Sequence, residues 1–147
     1  MEKEFVMLKP NAVRRGLIGE IINRFEKRGL KITAMKFINP SSDQLEELYK
    51  EHAGKSFYNG LMEFASSGPV VVIILEGNRA IEMVRHIVGK TDPLEASPGS
   101  IRGEYGLSVR KNIVHASDSQ ENAEREMKIF FDHEEITEYE LDAQDDI

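Results

Sequence analysis

The aliphatic run Val70-Val71-Val72-Ile73-Ile74-Leu75 constrains this chain more than any other segment. With no polar residue for either face, it reads as the body of a deeply buried strand, Pro69 to Leu75, inside a covered sheet. It is also the longest aliphatic run, far short of the roughly 20 residues that span a bilayer. The rest of the chain therefore has to supply neighbouring strands and apolar faces to cover it.

Those partners can be read from periodicity. Phe5 to Lys9 alternates, with Phe5, Met7 and Lys9 on one face and Val6 and Leu8 on the other, and Pro10 ends it. Leu17, Ile18, Ile21, Ile22 and Phe25 recur at helical spacing before a Gly29 stop. Leu30 to Ile38 is a second strand, with Leu30, Ile32 and Ala34 on one face. Ser41-Ser42-Asp43-Gln44 opens a helix as a capping box, and Leu61 to Ala65 is a further short helix. Asn78 caps a helix from Arg79 to Val88, closed by Gly89. Residues 90–111 have glycines and prolines but no period; so long a loop is either functional or hides an element. Asn112 to His115 is a fourth strand, and Ser117 with Gln120 caps a last helix lined by Ala123, Met127, Phe130 and Phe131.

The order β-α-β-α-α-β-α-β-α is a split βαβ pattern. It predicts an α+β, ferredoxin-like sandwich: a four-stranded antiparallel sheet with helices on its faces. A Rossmann-like parallel sheet is the alternative, which four strands at this spacing fit less well. Residues 1–147 read as a single domain with an acidic C-terminal tail from about residue 132 to 147.

Composition narrows the chemistry. The chain has no cysteine, which excludes disulfides, thiolate metal centres and a cysteine nucleophile. The formal charge of -7 argues against a polyanionic partner, but it is unevenly spread. Residues 1–119 hold 17 Lys+Arg and 15 Asp+Glu, whereas residues 120–147 hold 2 and 11. A slightly basic body leaves room for an anionic small molecule, and the acidic tail reads as a solvated or subunit-contacting surface. Charges throughout the first 20 residues leave no apolar stretch for a signal peptide, so a soluble cytoplasmic protein is expected.

Two phosphate-loop decoys fail. Gly54-Lys55-Ser56 and Gly89-Lys90-Thr91 end as a Walker A loop does, but Tyr49 and Val84 stand where its first glycine belongs. Of the four histidines, no two lie at metal-binding helical spacing. His133 and His86 read as surface residues. His115 differs: it ends a strand just before Ala116-Ser117-Asp118-Ser119, at an expected helix start, where backbone N–H groups favour an anion. Glu126 lies about 40° from Phe130 around the last helix, so it can point inward. A carboxylate holding one imidazole nitrogen leaves the other as a free lone pair. Lys9, Arg85 and Arg102 supply cations, and the set suggests phosphate chemistry.

Asn112-Ile113-Val114-His115-Ala116-Ser117-Asp118-Ser119 resembles the active-site signature of the nucleoside diphosphate kinase family. Phe5-Val6-Met7-Leu8-Lys9-Pro10, Arg15-Gly16-Leu17-Ile18-Gly19, Ser67-Gly68-Pro69-Val70, Gly89-Lys90-Thr91-Asp92-Pro93 and Pro98-Gly99-Ser100-Ile101-Arg102-Gly103 resemble it in order and spacing too, over roughly residues 3–135. The resemblance implies γ-phosphoryl transfer between nucleotides, in ping-pong fashion and with low base specificity. It makes His115 the phosphohistidine nucleophile through Nδ1, Glu126 the holder of its other nitrogen, and Ser117 the support of that carboxylate. Arg85, Thr91, Arg102 and His52 would contact phosphates. Lys9 and Asn112 would reach the ribose hydroxyls and nearby phosphate, Phe57 would stack on the base and Tyr49 would buttress the site. It further implies Mg²⁺ carried by the nucleotide phosphates, nucleoside di- and triphosphates as partners, and a homo-oligomer, a hexamer ahead of a tetramer, both built on a common dimer. Ala116 stands where many members have glycine, and would add strain if that position required a positive φ. A ligand-sensing module without turnover and a nucleic-acid-binding domain are the competing readings; no aromatic-interleaved basic patch supports the latter, and no membrane role is expected.

Overall fold

In the computed structural model, which describes residues 1–142, the aliphatic run becomes the inner strand β3 (Val70–Gly77), buried at every position. It pairs antiparallel with β1 (Glu2–Leu8) on one side and β2 (Lys31–Ile38) on the other, and β4 (Val114–Ala116) pairs antiparallel with the outer side of β1. The strand order is β2-β3-β1-β4, the expected ferredoxin-like sheet. The α-helices are α1 (Pro10–Arg14), α2 (Ile18–Lys27), α3 (Ser42–Leu48), α4 (Tyr58–Ala65), α5 (Ala80–Val88), α6 (Ile101–Tyr105) and α7 (Gln120–Phe130), with short 3-10 turns at Lys50–His52 and His133–Glu135.

Strand alternation gives the sheet two apolar faces. Val6, Leu8, Ile73 and Leu75 pack with Ile21 and Phe25 of α2 and Val84 and Val88 of α5. Phe5, Met7, Val72 and Ile74 pack with Leu45 and Leu48 of α3, Ala65 of α4 and Phe130 of α7. Each such buried side chain contributes about 1.5–3 kcal/mol of transfer free energy, so covering both faces is what holds the layers together.

The structure departs from the sequence reading in several places. Leu30 and Ile32 do pack on the α2–α5 side, but Ala34 lies in the opposite core. The register against β3 shifts between Ile32 and Ala34, a bulge that moves later side chains to the other face. Pro10, expected only as a strand stop, sits in the first turn of α1, where its fixed φ suits a helix. Helix α5 begins at Ala80 rather than Arg79, and Asn78 does not cap it. Arg79 holds the N-cap position with φ 53°, and the Glu2 carboxylate accepts from the Ile81 N–H at 2.9 Å. The unpatterned loop hides α6, capped by Ser100, whose side chain accepts from Gly103 N–H.

Two differences bear on the site. Strand β4 runs from Val114 to Ala116 and helix α7 begins only at Gln120, so His115 lies within a strand and not at a helix N-terminus. Ser119, not Ser117, is the N-cap, accepting from Asn122 N–H at 3.1 Å. Ser117 is buried and turned to other use. Ala116 has no positive φ, so alanine is unstrained there.

The acidic tail is tied to the sheet. Thr137 N–H donates to the Thr33 carbonyl at 2.8 Å and Tyr139 hydroxyl to the Ile32 carbonyl at 2.6 Å, beside the bulge. Lys3 pairs with Glu138, Lys36 with Glu135, and Lys31 donates to the Tyr139 carbonyl. Asp145 and Asp146 lie outside the described residues. Among the described residues, no helix is long and apolar enough to cross a membrane.

Candidate active site

At the β4 end of the sheet, β1, α5, the loop around α6 and α7 border a cavity of about 480 Å³ opposite α3 and α4. Lys9, Tyr49, His52, Phe57, Arg85, Thr91, Arg102, Asn112, His115 and Glu126 all line it. These positions, scattered over most of the chain, are the ones the sequence singled out. Ser117 alone of that set lies behind the wall.

His115 pairs across the ladder with Met7 and places its ring against Phe5 and, edge-on at 5.8 Å, against Tyr49. Its Nε2 meets Glu126 Oε1 at 2.6 Å, and Ser117 Oγ donates to the same oxygen at 2.7 Å. Glu126 is almost completely buried, and Arg125 approaches its other oxygen at 3.5 Å. In a neutral imidazole, a carboxylate that accepts from Nε2–H leaves the lone pair on Nδ1. No hydrogen bond engages that atom among the described residues.

The preceding residues set a cation in place through a strained turn. Ile113 has φ 83°, a conformation costly for a β-branched side chain, in a γ-turn closed by Val114 N–H to the Asn112 carbonyl at 3.0 Å. Full burial of Ile113 and a 2.8 Å bond from Lys9 N–H to its carbonyl hold it there. Asn112 thereby accepts from Lys9 Nζ at 2.8 Å and donates to the Thr91 carbonyl at 3.1 Å.

The cations are crowded. Burial, then the neighbouring Arg102 charge, pushes the Lys9 ammonium down to about 7. Burial, then Arg85, pushes Arg102 down to about 10. Arg102 spends two nitrogens on the Gly89 and Val114 carbonyls, and Arg85 donates to the Ala116 carbonyl at 3.2 Å. The buried Arg102 Nε and Tyr49 hydroxyl have no partner, and burial keeps the phenol protonated far above neutrality. Positive charges held this closely at a desolvation cost favour an anion that would relieve both.

On the opposite wall Phe57 is 45% exposed, with His52 at 5.3 Å from its ring and Lys55 above it. Burial, then Lys55, holds His52 below its ordinary value. Asp118 lines the cavity as a carboxylate, lowered first by the Asn122 amide that donates to it at 2.7 Å. Sequence reasoning missed Leu61, Val109, Arg110, Glu51 and Arg125, which also line the cavity. Leu61 follows Phe57 by one helical turn and was discoverable. Val109 and Arg110 belong to the segment without a period, and only the fold brings them to α4.

A histidine with one ring nitrogen fixed, facing a cavity rich in cations and walled by an exposed aromatic ring, is equipment for accepting and passing on a phosphoryl group. Fold and site thus define a phosphotransferase. The family model for nucleoside diphosphate kinase matches residues 2–136. The nucleoside diphosphate kinase of Thermosipho africanus is 62% identical over 147 residues, all of both chains. That of Saccharolobus islandicus is 54% identical over 136 residues, 92% of this chain and 99% of its own. A crystal structure from Babesia bovis superposes with TM-score 0.95 at 45% identity, covering 99% of this chain and 98% of that one. The Halobacterium salinarum enzyme in complex with CDP gives TM-score 0.95 at 42% identity, covering 98% and 96%. The chain belongs to the nucleoside diphosphate kinase family.

Proposed function

We propose that this protein moves the γ-phosphoryl group of a nucleoside triphosphate to a nucleoside diphosphate through a phosphohistidine on His115, in two half-reactions at one site. The 2.6 Å contact between His115 Nε2 and Glu126 carries the reading, because it leaves Nδ1 as the nucleophile. Nδ1 attacks the γ-phosphorus, the bond from phosphorus to the β–γ bridging oxygen breaks, and the electron pair leaves with the diphosphate. A second diphosphate reverses the step. Glu126, supported by Ser117, stabilises the positive imidazole as the P–N bond forms. Lys9, Arg85 and Arg102 take the charge that spreads over the phosphoryl oxygens. Thr91, His52 and Asn112 fix the phosphates and ribose, Tyr49 braces the His115 ring, and Phe57 stacks on the base. Every base offers a π-face, so stacking favours broad base tolerance.

Among the described residues no group of three or more His, Asp or Glu side chains gathers to cage a metal. The site fits Mg²⁺ that arrives on the nucleotide, since that ion is bound through phosphate oxygens, water and one or two carboxylates. Asp118 and Glu51 are the lining carboxylates able to hold its water shell, and the ion would neutralise phosphate charge. The assembly that suits this reading is a homo-oligomer built from dimers, a hexamer ahead of a tetramer.

The test is to mix the protein with Mg²⁺ and γ-labelled ATP. An acid-labile, base-stable phosphoprotein should form, be discharged by any nucleoside diphosphate, and be absent from His115→Ala. Label that persists in that variant, or no label on the wild type, would overturn the mechanism.

A further inference from the structure

Opposite the phosphate end, the cavity mouth is formed by two segments distant in sequence. Phe57 and Leu61 come from α4 and its approach, Val109 and Arg110 from the loop that follows α6. The Arg110 guanidinium lies flat on α4 at Gly60, where any Cβ would collide with it. The missing side chain therefore lets a planar cation rest against helix backbone at the lip. Arg110 makes no hydrogen bond or ion pair among the described residues, so its N–H fork is uncommitted. Phe57, Leu61 and Val109 line the same cavity as Arg110 and offer apolar surface for a flat ring beside that fork.

We infer that Arg110 reads the edge of the stacked base and favours guanine over adenine. The inference rests on the proposed placement of the base against Phe57 and narrows it. A guanidinium offers two parallel donors, matching the O6 and N7 acceptors of guanine. Adenine presents N7 beside an amino donor, which would face another donor. Stacking still admits every base, and Arg110 adds a bias on top of it. The guanine 2-amino group has no part in the contact, so hypoxanthine, which keeps O6 and N7, should behave as guanine does.

The experiment is discharge of the phosphorylated enzyme by GDP, IDP, 7-deaza-GDP and ADP, each at sub-saturating concentration. GDP and IDP should react at least about fivefold faster than ADP, the low end for a two-donor base contact at an exposed lip. 7-Deaza-GDP should lose part of that advantage. Arg110→Met keeps the stem without the fork and should bring the GDP to ADP ratio near one. Arg110→Lys, a point charge, should restore only part of it. An unchanged ratio in Arg110→Met, or equal losses with GDP and ADP, would overturn the assignment. Equilibrium dialysis of GDP and ADP against wild type and Arg110→Met reads the same preference without turnover. Failure of the phosphohistidine reading would thus leave this one decided on its own: equal binding of the two nucleotides would reject it.

Discussion

Burying a carboxyl group on a strand, with one oxygen unpartnered, forces it to keep its proton. Glu4 is fully buried in β1; Oε1 accepts from Phe5 N–H at 2.9 Å, and Oε2 has no partner. Burial pushes the carboxyl up to about 9, the Phe5 amide opposes the rise, and the charges of Glu126, Arg85 and Glu2 act more weakly. In the unfolded chain the group ionises near 4.5. Between those values folding takes up a proton, so stability falls as pH rises, by at most about 1.4 kcal/mol per unit. Glu4→Gln keeps an oxygen for Phe5 N–H and removes the titration. Its advantage over wild type in urea melts should grow from pH 5 to 8.5 and vanish below about pH 4.5; parallel profiles would reject the account. Glu4 shows how residue types and residue surroundings differ in legibility. His115, Lys9 and Arg102 stood out because they lie in motifs that resemble the family's, and Glu126 because it falls at the edge of an apolar helix face. Glu4 looked like one more terminal charge until the sheet closed over it.

At the scale of the element, the caps show where local sequence stops deciding. The capping box at Ser41 and Gln44 forms as read, because all its parts lie within four residues. Helix α5 takes its cap instead from Glu2, which the antiparallel pairing of β1 with β3 brings opposite Gly77. Glu2→Ala should therefore destabilise the fold by about 1 kcal/mol, the usual worth of a lost cap, and lower Tm by roughly 3 °C. Glu2→Gln, which keeps an acceptor, should lose less, and calorimetry of the three proteins orders them. Equal Tm values would mean that water replaces the carboxylate at no cost. The bulge in β2 was equally hidden. Period-two reasoning assumes an unbroken ladder, and nothing in Lys31-Ile32-Thr33-Ala34 marks the extra residue that exchanges the faces. Strand β3 and the amphipathic face of α2 needed no such help, since continuous apolarity and a regular period survive any tertiary context.

For the molecule as a whole, the charge split in the sequence acquires a mechanical meaning. β2 is an outer strand, and at its bulge the Ile32 and Thr33 carbonyls turn to the C-terminal segment. Three lysines on β1 and β2 hold the acidic stretch that delivers Thr137 and Tyr139 to those carbonyls. The tail thus closes part of a sheet edge that would otherwise offer unpaired groups to other chains. Exposed ion pairs add little each, so three hydrogen bonds, from Thr137 N–H, the Tyr139 hydroxyl and Lys31 Nζ, should dominate its worth together with the packing of Ile136 on the Phe130 and Phe131 core, the neutral bonds at roughly 1 kcal/mol apiece. A chain ending at Phe131 should lose at least about 2 kcal/mol and roughly 5 °C in Tm at fixed protein concentration. Tyr139→Phe removes the single bond to the Ile32 carbonyl and should lose about 1 kcal/mol. The cavity lies at the opposite edge, beside β4, so phosphotransfer at 25 °C should survive the truncation. Raising salt should shrink the difference between full and shortened chains only slightly, because the hydrogen bonds are not screened. A truncated protein with unchanged Tm would show that the strap only rests on the sheet; one that melts lower but loses salt sensitivity altogether would assign its grip to the lysines.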